Sequence, residues 1–218
     1  MRKTLIVDRM VGESPRMIVR YTDRTRMNHW LVALMFLCAG LTGLAIFHPL
    51  FYPFVYLFGG GVWTRILHPF FGVVMALAYF GLFLALWRHN VMDASDREWL
   101  RETPKLVRGE EEGMPPVGRN NAGQKIVFWV AGLSLLVLLI TGFVFWSPYF
   151  APAFPVLARR LAVVLHAFAA TVLILLMIVH IYSAFWVKGS IEAMTRGTVP
   201  EGWARFHHPR WWRQVTGK

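Results

Sequence analysis

The chain carries a single cysteine, Cys38, in 218 residues. That excludes an internal disulfide, a Cys-x-x-Cys-His covalent haem attachment, and any Cys-ligated iron–sulfur cluster or zinc finger. Charge is also scarce: 16% of residues are charged against 56% hydrophobic, and the mean hydropathy of +0.45 lies outside the range of soluble globular domains. Neither His-Glu-x-x-His nor a Walker-type phosphate loop occurs, so the motifs of zinc proteases and nucleotide hydrolases are missing. The sequence has no repeat and no low-complexity segment. A net charge of +11 would suit nucleic acid, yet the charges avoid the apolar stretches and gather in loops and tails, so no nucleic-acid partner is expected.

What is present is four apolar runs, each near the ~20 residues a helix needs to cross ~30 Å of hydrocarbon. They fall at 30–47, 69–87, 126–146 and 161–187. The seven basic residues ahead of the first run (Arg2, Lys3, Arg9, Arg16, Arg20, Arg24, Arg26) make that prefix too long for an ordinary secretory signal, and it reads as the start of a retained span. Twenty of the 23 Lys and Arg lie in the N-terminal tail, the 88–125 loop and the tail from 188; Arg65, Arg159 and Arg160 alone occupy the other side. By the positive-inside rule both termini and the central loop are cytoplasmic. Trp30, Trp63, Trp87, Trp129, Trp146 and Trp186 near the span ends suit interfacial anchoring. The expected fold is an all-α, four-transmembrane-helix bundle with both termini cytoplasmic; the resemblance drawn below implies the bacterial inner membrane as its location. Its membrane unit is 30–187, flanked by cytoplasmic tails 1–29 and 188–218.

A histidine inside a membrane is costly enough to need a reason. Of the eight, only His166 and His180 lie well inside a run. Fourteen residues separate them, about 21 Å of helix and only ~40° short of four full turns, so they share a face at opposite leaflets. Span four runs inward, so His166 is outer and His180 inner. Span one begins inside at His29 and span two begins outside at His68. Depth alone therefore pairs His29 with His180 and His68 with His166, the arrangement of two stacked bis-imidazole b-type haems. His48 lies ~28 Å beyond His29 and ~100° off its face, and His89 ~31 Å beyond His68, so both belong to the surface; His207 and His208 fall in a polar tail. Gly43, fourteen residues after His29, faces the bundle at the depth of the outer haem, where a macrocycle needs close backbone approach.

Two strong axial ligands leave no open coordination position, so such a pair carries electrons across the membrane. The outer loops are too short to hold an oxidising enzyme, which calls for an outer partner subunit. A lipid-soluble quinone near His180 is the expected acceptor. Residues Asn121 to Lys125 suit a helix N-cap at the inner start of span three.

A string of motifs sharpens this. From about Ile18 to Trp212 the chain contains Ile18-Val-Arg-Tyr21, Met27-Asn-His-Trp30, Arg65-Ile-Leu-His-Pro-Phe70, Asn121-Ala-Gly-Gln-Lys125, Pro148-Tyr-Phe-Ala-Pro152, Phe185-Trp-Val-Lys-Gly-Ser190 and His207-His-Pro-Arg-Trp211. In that order they resemble the gamma, cytochrome b subunit of membrane-bound respiratory formate dehydrogenase. The resemblance implies a four-helix bundle whose haem ligands fall on His29, His68, His166 and His180. It further implies an outer molybdenum or tungsten catalytic subunit, an iron–sulfur subunit feeding the outer haem, and a complex able to form a higher oligomer. The implied quinone pocket carries over onto Asn121, Gly123, Gln124 and the vicinity of His180. Asn120, where the family pattern suggests an aromatic, and the extension before Arg16 depart from it.

The tail His207-His208-Pro209-Arg210-Trp211-Trp212 reads as a basic aromatic segment lying on anionic lipid, with contact to a partner anchor or a neighbouring copy as the alternative. The Glu110–Glu112 run reads as solvated loop. Other functions stay open: the cytochrome b subunit of a hydrogenase or other molybdenum oxidoreductase shares the wire, and a haem-free transporter or proton relay shares the spans.

Overall fold

A computed structural model describes residues 16–110, 113–147, 149–187 and 189–218. Four helices are long and apolar enough to cross a membrane: α1 (Asp23–Phe47), α2 (Gly61–Leu86, prolonged by a 3-10 turn to Asn90), α4 (Ala122–Phe145) and α5 (Val156–Trp186). They lie where the four apolar runs fall, but begin earlier. The apolar run marks only the stretch in hydrocarbon, whereas polar chemistry sets the helix start. Thr22 caps α1 by accepting from the Thr25 N–H, and Asp23 in the first turn pairs with Arg26 at 2.6 Å. Pro155 sits at the N-cap of α5, where its missing N–H costs nothing. In α2 the Thr64 hydroxyl donates to the Gly60 carbonyl at 2.9 Å, and Pro69 is accommodated within the helix beside His68.

Helices α1 and α2 form one closely packed hairpin and α4 and α5 the other, joined mainly by α2 against α4. A core of Ala39, Met75, Ala131, Leu135 and Leu173 fills the centre. Small residues there let the backbones approach, while Leu37, Leu77, Leu133 and Val164 point outward. Apolar side chains thus cover the outside as well, the pattern of a span bathed in lipid. Pro49–Phe58 forms a short apolar 3-10 helix linking α1 to α2, ended by Gly59 at φ 82°.

The basic segments fold together at one end of the bundle. The fold is all-helical as expected, apart from one small ribbon in this cap: β1 (Met17–Val19) pairs antiparallel with β2 (Thr198–Pro200), Ile18 opposite Val199. Around it stand α3 (Ala94–Val107), α6 (Ser190–Thr195), α7 (Glu201–His207) and α8 (Pro209–Thr216). Arg20 is only 3% exposed. It donates to the Arg119 carbonyl at 2.8 Å and to His208 Nε2 at 3.2 Å, and lies over the rings of Tyr21, Trp203 and Trp211. Since Arg20 cannot accept, His208 keeps its proton on Nδ1, which donates to the Gly118 carbonyl at 2.8 Å. His208 is likewise 3% exposed, so its pKa is pushed down to about 3, by burial first and the Arg20 charge second. The expectation that His207–Trp212 lies on lipid is corrected accordingly: His208 and Trp211 are buried in this cap. Asn120, the departure from the family pattern, is also buried, its amide donating to Asn90 Oδ1 at 2.9 Å. Glu110 pairs with Arg108 at the surface. Glu111, Glu112 and the extension before Arg16 fall outside the described residues.

Candidate functional site

The two histidine pairs singled out by depth meet inside the bundle. The rings of His29 on α1 and His180 on α5 lie 6.3 Å apart between centres, tilted by 57°. Those of His68 on α2 and His166 on α5 lie 6.2 Å apart, at 67°. Two imidazoles on opposite sides of one metal, each with a bond of about 2.1 Å and about 1 Å more to the ring centre, would stand about 6.2 Å apart. Among the described residues no group of three or more His, Cys, Asp or Glu side chains gathers. The histidines come in twos, which suits a metal whose remaining ligands come from a macrocycle.

Each ring of the second pair is held from behind. Thr42 Oγ1 lies 3.0 Å from His68 Nδ1, and Thr141 Oγ1 lies 3.0 Å from His166 Nδ1. The residue after each threonine is glycine. A Cβ on Gly43 would lie 3.0 Å from His68 Cε1, and one on Gly142 would lie 3.5 Å from His166 Cε1. Gly43 therefore sits at the His68–His166 pair, close against the His68 ring. In the first pair His29 Nδ1 is buried without a hydrogen-bond partner, and the ring stands edge-on to Trp30. Thr42, Thr141 and Gly142 are not evident from histidine spacing. The signal for them is the Thr-Gly dipeptide that recurs in Leu41-Thr-Gly43 and Ile140-Thr-Gly142.

The other histidines are elsewhere. His48 is exposed at the end of α1, where its Nδ1 accepts from the Leu50 N–H at 3.1 Å, and His89 is exposed at the end of α2. His207 packs against Trp203 and Phe206.

Asn121, Gly123 and Gln124 open α4. Asn121 Oδ1 accepts from the Gln124 N–H at 2.9 Å and Gln124 Oε1 accepts from the Asn121 N–H at 3.0 Å, a complete capping box. Gly142 faces His166, so His180 faces the level of Phe128, and Asn121 is seven residues farther toward the cap, about 10 Å along the helix. Trp99 of α3 reaches this opening and would lie 3.4 Å from a Cβ on Gly123. Beside it Lys125 and Asp96 form a buried ion pair at 2.6 Å, their side chains 7% and 5% exposed. These two, with Asp93, Asn121 and Pro116, line a cavity of about 10 Å³, enough for one water molecule.

A family model described as prokaryotic cytochrome b561 matches residues 20–197, the whole bundle and the first part of the cap. The chain belongs to that family. This cytochrome b561 family member is 46% identical over 198 residues to the formate dehydrogenase cytochrome b556(fdo) subunit of Escherichia coli K12, covering 91% of this chain and 93% of the relative. It is 40% identical over 200 residues to the nitrate-inducible cytochrome b556(Fdn) subunit of the same strain, covering 92% of each. With the formate dehydrogenase cytochrome b556 subunit of Haemophilus influenzae it shares 37% over 197 residues, covering 90% of this chain and 83% of the relative. Membership of a prokaryotic cytochrome b family brings haem b as cofactor and a bacterial membrane as location, which the four apolar helices suit. The cytochrome's residues fit such a group: facing imidazoles at metal-bridging separation, with Gly43 in tight approach to the His68 ring.

Proposed function

We propose that this chain is the dihaem cytochrome b subunit of a respiratory formate dehydrogenase in the bacterial cytoplasmic membrane. It takes electrons from an outer iron–sulfur subunit, itself served by a molybdenum or tungsten catalytic subunit, and delivers them to quinone near the cytoplasmic face. The observation that carries this is the pair of facing imidazole couples fourteen residues apart on α5, at 6.2 and 6.3 Å. The relatives' names, each a subunit of formate dehydrogenase, support formate as the electron source and a complex with other subunits, and the resemblance of the motif string suggests which subunits those are.

In this reading His68 and His166 are the axial ligands of an outer haem b, and His29 and His180 those of an inner one. When bound, the two groups supply one-electron carriers spanning the membrane. The chain's own residues do the rest: the four histidines would hold the two groups in pairs, a ligand set suited to carrying electrons, and apolar packing around Ala39, Met75 and Leu173 keeps water from the path. Residues 30–187 form the membrane unit, and tails 1–29 and 188–218 are cytoplasmic. Support comes from the one-sided Lys and Arg, and from the folding of Arg20, Arg119 and Arg210 into one cap. The quinone ring would lie between His180 and the α4 opening, with Asn121, Gly123 and Gln124 at its polar edge.

Proteoliposomes holding the whole complex test the proposal. Formate-dependent quinone reduction should raise an uncoupler-sensitive potential, because electrons move inward and protons are consumed inside. Gln124→Ala should slow quinol formation while formate still reduces the haems. No potential with the wild type, or unreduced haems in Gln124→Ala, would defeat it.

A further inference from the structure

The two imidazole pairs are not supported alike. Behind the outer pair, Thr42 and Thr141 approach Nδ1 of both rings, and the proton positions follow from the remaining contacts. The Thr42 hydroxyl donates within its own helix to the carbonyls of Cys38 at 2.7 Å and Ala39 at 3.1 Å. The Thr141 hydroxyl donates likewise to Val137 at 2.6 Å and Leu138 at 3.3 Å. Each hydroxyl has one proton, and the backbone takes it. Toward the ring, each Thr oxygen is therefore the acceptor and Nδ1–H the donor. That fixes both tautomers, with the lone pair on Nε2. Both threonines are buried, so the bonds are not shared with bulk water. Behind the inner pair, His29 Nδ1 is buried and has no acceptor.

We propose that Thr42 and Thr141 are positioning residues that orient His68 and His166 and hold the outer haem at a lower potential than the inner one. This rests on the reading of the four histidines as axial ligands. An Nδ1–H that donates raises the basicity of Nε2, and a more basic axial ligand favours the oxidised, more highly charged iron. Two such bonds act on the outer site, while His29 contributes none at the inner site. That difference favours transfer from the outer to the inner haem. The same residue pair appears on both hairpins: Thr-Gly on α1 faces His68 on α2, and Thr-Gly on α4 faces His166 on α5. In each, the hydroxyl holds Nδ1 and the glycine admits the edge of the same ring.

Redox titration of the purified complex, followed by visible spectroscopy, tests this, with His68→Ala identifying the outer component. Thr42→Val and Thr141→Val keep the branched shape and remove the oxygen. Each should raise the midpoint of the outer haem by a threefold to tenfold change in its oxidised-to-reduced ratio, tenfold being 59 mV for one electron, and leave the inner midpoint in place. Thr42→Ser, which keeps the hydroxyl, should titrate like the wild type. Thr171→Val, which removes a hydroxyl that donates to the Ala167 carbonyl within α5, should change neither midpoint. If Thr42→Val loses the outer haem while Thr42→Ser retains it, the orienting role stands. An unmoved outer midpoint in both valine variants overturns the proposal, as does loss of the haem in Thr42→Ser or an equal shift in Thr171→Val. A wild type with fewer than two haems would instead overturn the axial-ligand reading beneath it.

Discussion

Gly43 and His68 meet across the α1–α2 interface with no room for a side chain between them, a Cβ on Gly43 standing 3.0 Å from His68 Cε1. Gly43→Val should therefore displace the ring and lower occupancy of the outer haem, seen as a reduced absorbance per chain. Gly40, one turn earlier, has nothing within 4 Å of an added Cβ. Gly40→Ala should leave haem content unchanged and, by helix propensity, be neutral or stabilising by up to about 1 kcal/mol. Gly132 would make a poor control, because a Cβ there lies 3.1 Å from the Tyr79 ring. Equal haem content in Gly43→Val and Gly40→Ala would show that the close approach has no consequence.

Removing a ring should remove one haem, not both. His68→Ala or His166→Ala should delete the outer component of the reduced-minus-oxidised spectrum, and His29→Ala or His180→Ala the inner one. His48→Ala should keep both, since His48 is exposed and already engaged with the Leu50 N–H. Loss of a haem in His48→Ala would reassign the ligands.

Acid should open the cap before the bundle. His208 is held neutral with its pKa at about 3, below the 6.5 of an exposed histidine, so between those values the unfolded cap binds a proton that the folded cap refuses. Stability is then full above pH 6.5 and falls as pH drops, by up to about 1.4 kcal/mol per pH unit. Asp93 acts in the same direction. The Ser95 hydroxyl first, with Arg210 and Lys125 adding to it, holds its carboxyl at about 2, so its contribution is present above 3.8 and lost as pH falls toward 2; it is small because the side chain is 40% exposed and screened by solvent. Protection factors, with the intrinsic slowing of amide exchange in acid divided out, should fall in 17–21 and 198–212 at pH 4.5 relative to pH 7, while those of α4 and α5 hold. Uniform exchange across the chain would contradict this.

The Lys125–Asp96 pair ties α3 to the opening of α4. Asp96→Ala leaves the buried Lys125 ammonium with only the longer 3.9 Å contact to Asp93 and should cost up to about 3–5 kcal/mol in the cap and the adjoining turn of α4. The double variant Asp96→Leu with Lys125→Met should recover most of that, measured by the same exchange. No recovery would mean that the pair does more than neutralise charge.

Sequence carried the spans and the histidine pairing because both follow from helix geometry: 1.5 Å and 100° per residue place His166 and His180 on one face, and Gly43 at the depth of His68. It carried helix starts poorly, since Thr22, Asp23 and Arg26 are polar and an apolar count begins only at Trp30. The cap was least legible. Its ribbon joins three-residue strands from opposite ends of the chain, and the basic aromatic tail that suits a lipid surface is instead folded over Arg20. Asn121 and Gln124 suit two roles on sequence grounds, and their side chains form the capping box. Thr42 and Thr141 are hard to single out in the sequence because a threonine in an apolar run usually bonds its own helix, as these do; their second contact needs the neighbouring helix in place.

The haem-to-chain ratio of the purified complex tests the central claim most directly, measured by quantifying the haem released by acid–acetone against the chain itself. The account requires two haems per chain, both extractable and leaving a colourless polypeptide. One haem per chain, or colour retained on the denatured protein, would contradict it.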